Sequence, residues 1–161
     1  QKPRPKVVLT WAPHPRALPQ AVPNSFAEWM NAADVDFVIT HPKGYELDPA
    51  FAGNARVEYD QMKAFEGADF IYAKNWSCPG VTCPESYGKI LDDYHQMMHW
   101  TVDEAHMAVT DNARFMHCLP VRRGMIVSDG VIEAPTSLVI PEAANREISA
   151  TVVIKRMLES L

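Results

Sequence analysis

The segment over residues 115–124 reads FMHCLPVRRG and brings several chemically capable side chains together. A short apolar stretch is followed by an imidazole and a thiol, His117 and Cys118, and then by two adjacent guanidinium groups, Arg122 and Arg123. Arginine side chains bind carboxylates and phosphates through paired hydrogen bonds. A cysteine behind an apolar run is by default a small buried hydrophobe, and adjacent arginines can form a charged turn, so this segment alone leaves both interpretations open.

Polar side chains also follow the other apolar runs that we predict to be strands. They include more cations and imidazoles than carboxylates, although the chain as a whole has a net charge of −5. A local positive field in an acidic chain favours an anionic ligand that carries phosphate or carboxylate groups. These residues, at or just beyond the end of each run, are Trp11 and His14 for the first run, His41, Lys43 and Tyr45 for the second, Lys74, Asn75 and Trp76 for DFIYAK, and Glu142, Asn145 and Arg146 for SLVI.

Single members of this set have simpler interpretations. His14 lies in a proline-rich loop, where a surface histidine is common, and a lysine such as Lys74 at a strand end is usually solvated. Arg146 could pair with Glu142 along a helix. The functional interpretation therefore requires that these residues meet at one edge of one sheet.

The apolar runs that must position these residues are continuous rather than alternating. Continuous runs are typical of strands that are buried on both faces of a parallel sheet. We predict strands over residues 6–12, 35–41, 69–74 and 114–119, with a weaker strand at 55–60 and a short one at 137–140. Helical segments separate them, so we expect one α/β domain, a doubly wound parallel sheet with helices on both faces in three layers. Ligands of such sheets bind beyond the carboxyl ends of the strands.

Local signals predict where the helices begin. Ser25 is a candidate N-cap for FAEWMNAA, Asp60 for QMKAFE, and Thr101 opens a candidate capping box before DEAHMAV. The final helix is predicted to start at Pro141 and to continue to the end of the chain, with apolar residues at helical spacing. Residues 75–100 are predicted to be a long functional or mobile loop.

Composition narrows the class of protein. The chain has 161 residues, of which 47% are hydrophobic and 22% charged, which suits one globular domain. Its acidic balance argues against a nucleic-acid or membrane-surface partner, and no apolar run reaches the ~18 residues that span a bilayer. Cys78, Cys83 and Cys118 suit a reducing compartment, with incidental cysteines in CPGVTCP preferred over a metal pair or a bridge. The chain begins QKPRPKVVLT, without Met, so we expect a fragment or a cleaved product.

The segment HCLPVRR resembles the His-Cys-Leu-Pro segment of the ornithine carbamoyltransferases, and PEAANREISATVV resembles the Glu-Asn-Arg helix start of the same family. KNW replaces the family's Ser-Met-Gly loop, and TWAPHP stands where enzymes for free ornithine have paired asparagines. Both replacements are similar to the branch that carbamoylates N-acylated ornithine. The resemblance extends over residues 1–161, without the Ser-Thr-Arg-Thr-Arg phosphate loop and the His-Pro-x-Gln segment of the amino-terminal, carbamoyl-phosphate domain. It therefore implies the carboxyl-terminal, ornithine-binding domain alone.

The resemblance also implies a reaction and a set of residues. The neutral δ-amine of the acylated ornithine attacks the carbonyl carbon of carbamoyl phosphate, and phosphate leaves without a covalent enzyme intermediate. Cys118 helps to orient or deprotonate the amine, and neither a metal nor an organic cofactor is implied. The implied residues are Cys118 as the catalytic residue, Cys118, Leu119 and Arg146 for carbamoyl phosphate, and Trp11, His14, Lys74 and Arg122 for the acylated ornithine, with Arg122 at the acyl group.

The same resemblance places the full-length enzyme in cytoplasmic arginine biosynthesis, as a homotrimer, and implies that this segment alone is inactive. Ile126 stands where acetyl-type enzymes carry a modified lysine, which favours N-succinylornithine as substrate and leaves N-acetylornithine as the alternative. A non-catalytic ligand-binding or regulatory α/β domain is the alternative from another class. A dinucleotide-binding domain is disfavoured because no G-x-G-x-x-G follows the first strand.

Overall fold

The computed structural model describes residues 2–16, 18–78 and 94–161, and within them five parallel strands form one sheet. The order across the sheet is β3-β2-β1-β4-β5. The chain runs outward from β1 to β3 and then crosses back to β4 and β5, which confirms the predicted doubly wound arrangement. The side of the sheet on which successive strands are added therefore changes between β1 and β4. The strands are β1 (Lys6–Trp11), β2 (Asp36–Thr40), β3 (Arg56–Glu58), β4 (Phe70–Lys74) and β5 (Arg114–Met116).

Successive residues of β1 contribute to two hydrophobic cores, one on each face of the sheet. Val8 lies in the first core with Ile71 and Phe115, and Leu9 lies in the second with Ile39. Every residue of β1 after its first is buried. The continuous apolar run follows from this position, because a central strand with both faces covered has no solvated side.

Helices cover both faces, so the predicted three-layer architecture is confirmed. Residues of α3, α5 and the start of α6 belong to the first core, and residues of α1 and the 3₁₀ helix belong to the second. In the described residues the helices are α1 (Ala21–Ala32), α2 (Pro49–Ala52), α3 (Gln61–Phe65), α4 (Glu104–Ala108), α5 (Asp129–Ile132) and α6 (Val139–Glu159), with the 3₁₀ helix at Tyr94–Trp100.

Two of the three predicted N-caps are wrong. Ser25 lies inside α1, which begins at Ala21, because Pro23 is tolerated in a first helical turn that needs no N–H from it. At α4 the cap is Asp103, whose carboxylate accepts from the His106 N–H at 3.0 Å. The hydroxyl of Thr101 donates instead to the Met125 carbonyl at 2.6 Å, so tertiary contact removes it from the helix end.

The third predicted cap is confirmed. The carboxylate of Asp60 accepts from the Lys63 N–H at 3.2 Å at the start of α3.

The loop that follows β4 falls only partly within the described residues. Within the predicted loop at 75–100, Asn75 and Ser77 are buried and the 3₁₀ helix begins at Tyr94. Residues 79–93, which include Cys83, lie outside the described residues.

The predicted strand at 137–140 is wrong. Ser137 makes a single isolated bridge to Phe115, and the Leu138 N–H donates to the Phe115 carbonyl at 2.8 Å. The chain then enters α6 at Val139, two residues before the predicted start, so it leaves the sheet after one bridge. The predicted strand at 114–119 is also shorter, because β5 ends at Met116 and the next N–H, that of His117, donates to Glu142.

Beyond the first residue of helix α6, nearly all of its side chains are solvent-exposed. Its apolar residues follow the predicted helical spacing, but no described residue covers them. No helix in the described ranges combines the length and apolar character needed to cross a membrane. The exposed apolar residues of α6 and the chain end are Ile140, Ile148, Val152, Val153, Ile154, Met157, Leu158 and Leu161.

Candidate functional site

His14 and Arg122 meet at the carboxyl edge of the sheet, although they are 108 positions apart in the chain. His14 lies in the loop after β1, and Arg122 lies in the loop after β5. The Nε–H of Arg122 donates to Nε2 of His14 at 3.1 Å. Parallel strands deliver their following loops to one edge, so this contact is a direct consequence of the topology.

The contact with Arg122 constrains the protonation of His14. A guanidinium nitrogen only donates, so Nε2 of His14 is the acceptor in this contact. Nδ1 of the same ring lies 3.1 Å from both the N–H and the carbonyl oxygen of Arg16. Burial lowers the pKa of His14, and the nearby charges of Arg122, Lys74 and Arg16 lower it further, against the opposing effect of the Arg16 backbone hydrogen bond. His14 is therefore a neutral imidazole surrounded by cations.

Lys74 lies at the reversal point of the sheet. It is the last residue of β4 and pairs in register with Trp11, the last residue of β1. Its charge contributes to lowering the pKa of both His14, in the loop after β1, and His117, in the turn after β5. Within residues 2–16, 18–78 and 94–161, no carboxylate lies within 4.0 Å of the charged group of Lys74 or Arg122. In the described part of the chain, these two cations therefore have no acidic partner that an anionic ligand would have to displace.

His117 begins a tight turn at the end of β5. Its Nδ1 accepts from the Leu119 N–H at 2.9 Å, and its own N–H donates to Oε2 of Glu142 at 3.0 Å. Leu119 has φ +48°, a left-handed conformation that non-glycine residues rarely adopt. Burial lowers the pKa of His117 to about 4, with a further contribution from Lys74, so the ring is neutral. Its proton is on Nε2, which is buried without a hydrogen-bond partner among the described residues.

Cys118 is the exposed residue of this turn, and its thiol is free. Tyr72 of β4 lies beneath it: burial raises the pKa of Tyr72, and the hydrogen-bonded Cys118 and the negative charge of Glu142 raise it further. Burial also raises the pKa of Glu142, against the lowering effect of the His117 N–H. A phenol, a thiol and a carboxyl group therefore share the space between β4, the turn and α6.

Trp11 and Arg123 are directed elsewhere. The ring of Trp11 is 1% exposed and its indole N–H donates to the Trp76 carbonyl at 2.8 Å, so Trp11 forms part of the core beneath this edge. Arg123 pairs with Asp129 at 3.1 Å and with Glu133, and it is not available in the way that Arg122 is. Of the two adjacent arginines, only Arg122 therefore faces His14.

Arg146 lies on α6, one turn beyond Glu142, and is exposed. In the described part of the chain, Arg146 and Glu142 do not form the ion pair along the helix that their spacing allows. The Glu142 carboxylate instead accepts a hydrogen bond from the His117 N–H. The structure thus brings His14 and Arg122 into direct contact, places Lys74 at the same edge of the sheet, and places Cys118 and Leu119 in the adjacent turn. It links that turn to the helix that carries Arg146 through Glu142.

Sequence reasoning missed two side chains of this site. Tyr72 lies within an apolar strand, where a tyrosine is ordinary, and no local signal marks it. Asn75 was noted only as a strand-end residue, but its side chain is 1% exposed and donates to the Ala12 carbonyl at 2.7 Å, which ties the loop after β1 to the loop after β4. In the described residues, no group of three or more His, Cys, Asp or Glu is arranged to hold a metal ion.

A cavity of ≈ 430 Å³ lies at the opposite, amino edge of the sheet. Its lining includes Asp69, Asp111 and Arg114, and Lys2 pairs with both aspartates, at 2.9 and 2.7 Å. Both aspartates there are already paired with Lys2, and ligands of doubly wound sheets bind at the other edge. We therefore assign the site to the carboxyl edge, despite the size of this cavity.

The doubly wound fold and the motifs at its carboxyl edge agree with a family of known proteins. The model of the family described as aspartate/ornithine carbamoyltransferase, Asp/Orn binding domain, matches residues 19–157, and the chain belongs to this family. It is 73% identical over 158 residues to an N-succinylornithine carbamoyltransferase of Bacteroides fragilis, covering 98% of this chain and 48% of that protein. It is 37% identical over 153 residues to an N-acetylornithine carbamoyltransferase of Xylella fastidiosa, covering 88% and 45%. The chain thus spans about half the length of the curated relatives it matches.

Solved structures agree on the fold. A mutant of N-acetyl-L-ornithine transcarbamylase complexed with carbamyl phosphate and N-succinyl-L-norvaline superposes with a TM-score of 0.78 at 34% identity, covering 89% of this chain and 47% of that one. Acetylornithine transcarbamylase complexed with acetylcitrulline gives a TM-score of 0.77 at 34% identity, covering 89% and 46%. The predicted family and fold class are therefore confirmed.

Proposed function

We propose that residues 1–161 form the ornithine-binding domain of an enzyme that transfers the carbamoyl group of carbamoyl phosphate to the δ-amine of N-succinyl-L-ornithine. The products are N-succinyl-L-citrulline and phosphate, in a step of arginine biosynthesis. The observation that carries this proposal is that two cations at one edge of the sheet, Lys74 and Arg122, have no carboxylate partner among the described residues, and that Arg122 contacts the neutral His14.

The choice of the succinyl group follows from the number of charges. N-succinylornithine has two carboxylates, one on the ornithine and one at the end of the succinyl group, whereas N-acetylornithine has only the first. Lys74 suits the first as a point charge, and the forked guanidinium of Arg122 suits the second. Identity of 73% with a relative named for N-succinylornithine supports this choice. Ile126 adds support, because it is 2% exposed and buried in the core rather than presented to a substrate.

In the proposed reaction the lone pair of the δ-nitrogen forms the new C–N bond. The C–O bond to phosphate breaks, phosphate leaves with the bonding electrons, and the nitrogen loses a proton to the departing phosphate. Backbone groups of Cys118 and Leu119 hold the carbamoyl group together with Arg146, and the Cys118 thiol orients the amine. Fixing both substrates at one edge supplies much of the rate, because it removes the entropy loss of bringing them together.

The rest of the proposed enzyme lies outside this chain. A further domain would supply the phosphate-binding groups that the carbamoyl phosphate requires, so residues 1–161 alone would have half of the site. The exposed apolar residues of α6 support this view, since an apolar helical stripe is normally covered. As further parts of the proposal, the full-length protein is a homotrimer and acts in the cytoplasm.

The test is a kinetic comparison of N-succinylornithine and N-acetylornithine with the full-length protein and carbamoyl phosphate, with the citrulline product measured. The proposal expects kcat/KM to be at least about tenfold higher for the succinyl substrate, which corresponds to ~1.4 kcal/mol. A preference for the acetyl substrate would support the alternative carbamoyltransferase. Binding of either compound without turnover would support a non-catalytic ligand-binding protein. Residues 1–161 alone should give no turnover.

A further inference from the structure

The turn that carries Cys118 is held by side chains at both ends. At its start, the His117 N–H donates to Oε2 of Glu142 at 3.0 Å. At its end, the Leu119 N–H donates to the His117 ring at 2.9 Å, while Leu119 has φ +48°. Because this backbone conformation is unfavourable for leucine, the two hydrogen bonds must supply part of what keeps the turn in place.

The Glu142 end of this arrangement is the unusual one. Glu142 is half-buried. The titratable groups near it come from two other elements: Tyr72 from β4, and His117 and Cys118 from the turn. No cation of the described residues lies within 4.0 Å of its carboxylate, and this includes Arg146, one turn further along α6. A half-buried carboxylate without a cation is costly, which indicates a purpose other than stability.

We propose that Glu142 is a positioning residue for carbamoyl transfer. By holding the His117 N–H, its carboxylate sets the direction of the Cys118 and Leu119 backbone that meets the carbamoyl group. Arg146 lies on the same helix, so α6 positions the turn and the substrate arginine as one rigid unit. This inference rests on the proposed function for its kinetic consequence, but the control of the turn by Glu142 has its own readout.

Attachment of α6 to the sheet does not depend on Glu142 alone. The Leu138 N–H donates to the Phe115 carbonyl at 2.8 Å, and Val139 is buried in the first core. Loss of the Glu142 carboxylate should therefore loosen the turn while the helix remains docked. Glu142→Gln keeps an acceptor oxygen for the His117 N–H, whereas Glu142→Ala removes it, so the pair of variants separates hydrogen bonding from simple packing.

The experiment uses the full-length protein and compares Glu142→Ala, Glu142→Gln and the control Glu147→Ala, an exposed glutamate further along α6. It measures kcat and KM for carbamoyl phosphate, the thermal midpoint, and the rate of Cys118 alkylation by iodoacetamide, followed by peptide mass spectrometry. We expect Glu142→Ala to lower kcat/KM by about ten- to a hundredfold and to change the alkylation rate by at least about threefold. Glu142→Gln should recover most of both, and Glu147→Ala should match the wild type.

Two results would overturn the inference: a Glu142→Ala protein within about twofold of the wild type in both readouts, or a Glu142→Gln protein as impaired as Glu142→Ala. If the wild-type protein shows no carbamoyl transfer, the proposed function fails, and the alkylation rates still decide whether Glu142 controls the turn. Altered alkylation in Glu142→Ala with recovery in Glu142→Gln would then support the positioning role alone.

Discussion

Replacement of Arg122 by alanine should separate the two acylated ornithines. In the full-length enzyme we expect Arg122→Ala to lower kcat/KM for N-succinylornithine much more than for N-acetylornithine. The Nε–H of Arg122 is already used by His14, which leaves the two terminal nitrogens to donate to a carboxylate. Only the succinyl substrate has a terminal carboxylate to receive them.

The size of the effect follows from the kind of hydrogen bond. Hydrogen bonds to a charged group contribute roughly 1.5–3 kcal/mol, which corresponds to a loss of about ten- to a hundredfold in kcat/KM for the succinyl substrate. Arg122 is exposed in this chain, and an exposed ion pair contributes ~1 kcal/mol or less. The larger figure therefore applies if the bound substrate and the rest of the enzyme exclude water from the guanidinium. The acetyl substrate should lose no more than about threefold, since only the contact with His14 is removed.

The matched control is Arg123→Ala. It removes the same charge one position further on, but Arg123 pairs with Asp129 and Glu133 rather than with His14. Initial rates with both substrates should remain within about twofold of the wild type. Equal losses for the two substrates in Arg122→Ala, or a comparable selective loss in Arg123→Ala, would refute the assignment of Arg122 to the acyl group.

Three further predictions concern stability, each measured by chemical or thermal unfolding. Because the pKa of His117 falls from 6.5 to about 4 in the folded protein, the unfolded state binds more protons between these values. The contribution of the neutral His117 to the free energy of unfolding should therefore be fully present above pH 6.5, and the free energy of unfolding should fall by ~3 kcal/mol as the pH drops to 4. His117→Gln should abolish this loss. Gln61→Ala should cost ~2 kcal/mol, since the buried Gln61 amide donates to the Thr10 hydroxyl at 2.8 Å, while the exposed Lys63→Ala should cost little. Gly124 has φ +69°, so Gly124→Asn should be nearly neutral and Gly124→Val should cost ~1–2 kcal/mol; equal effects of the two would contradict the left-handed turn.

The parallel sheet and the positions of its central strands were predictable from the sequence, because each central strand is a continuous run of apolar residues. Val8 is in register with Val38 of β2 and Ile71 of β4, and all three are buried. Because both faces of these strands are covered, apolar residues are required along the whole run. The cap at Asp60 was also predictable, since a cap and its N–H lie within one turn. The cap at Thr101 was not, because the distant Met125 carbonyl competes for the hydroxyl.

The candidate site was predictable as a set of positions and not as a geometry. The rule that ligands bind beyond the carboxyl ends of parallel strands selected His14, Lys74 and Cys118 before any contact was known. It selected Arg122 and Arg123 equally, because adjacent residues of one type give no sign of which direction each side chain takes. It also selected Trp11, whose indole the structure places in the core.

The amino-acid sequence by itself determined the order of the strands along the chain, the class of the fold and the family, because these depend on local apolar runs and on short contiguous motifs. Only the tertiary structure decided that Arg122 rather than Arg123 meets His14, and that Glu142 holds the turn before Cys118. These contacts join residues far apart in the chain, and their geometry depends on how neighbouring loops pack at the edge of the sheet. Hydrogen bonds act over about 3 Å, so a shift of one loop by that distance would change every partner without changing a single strand.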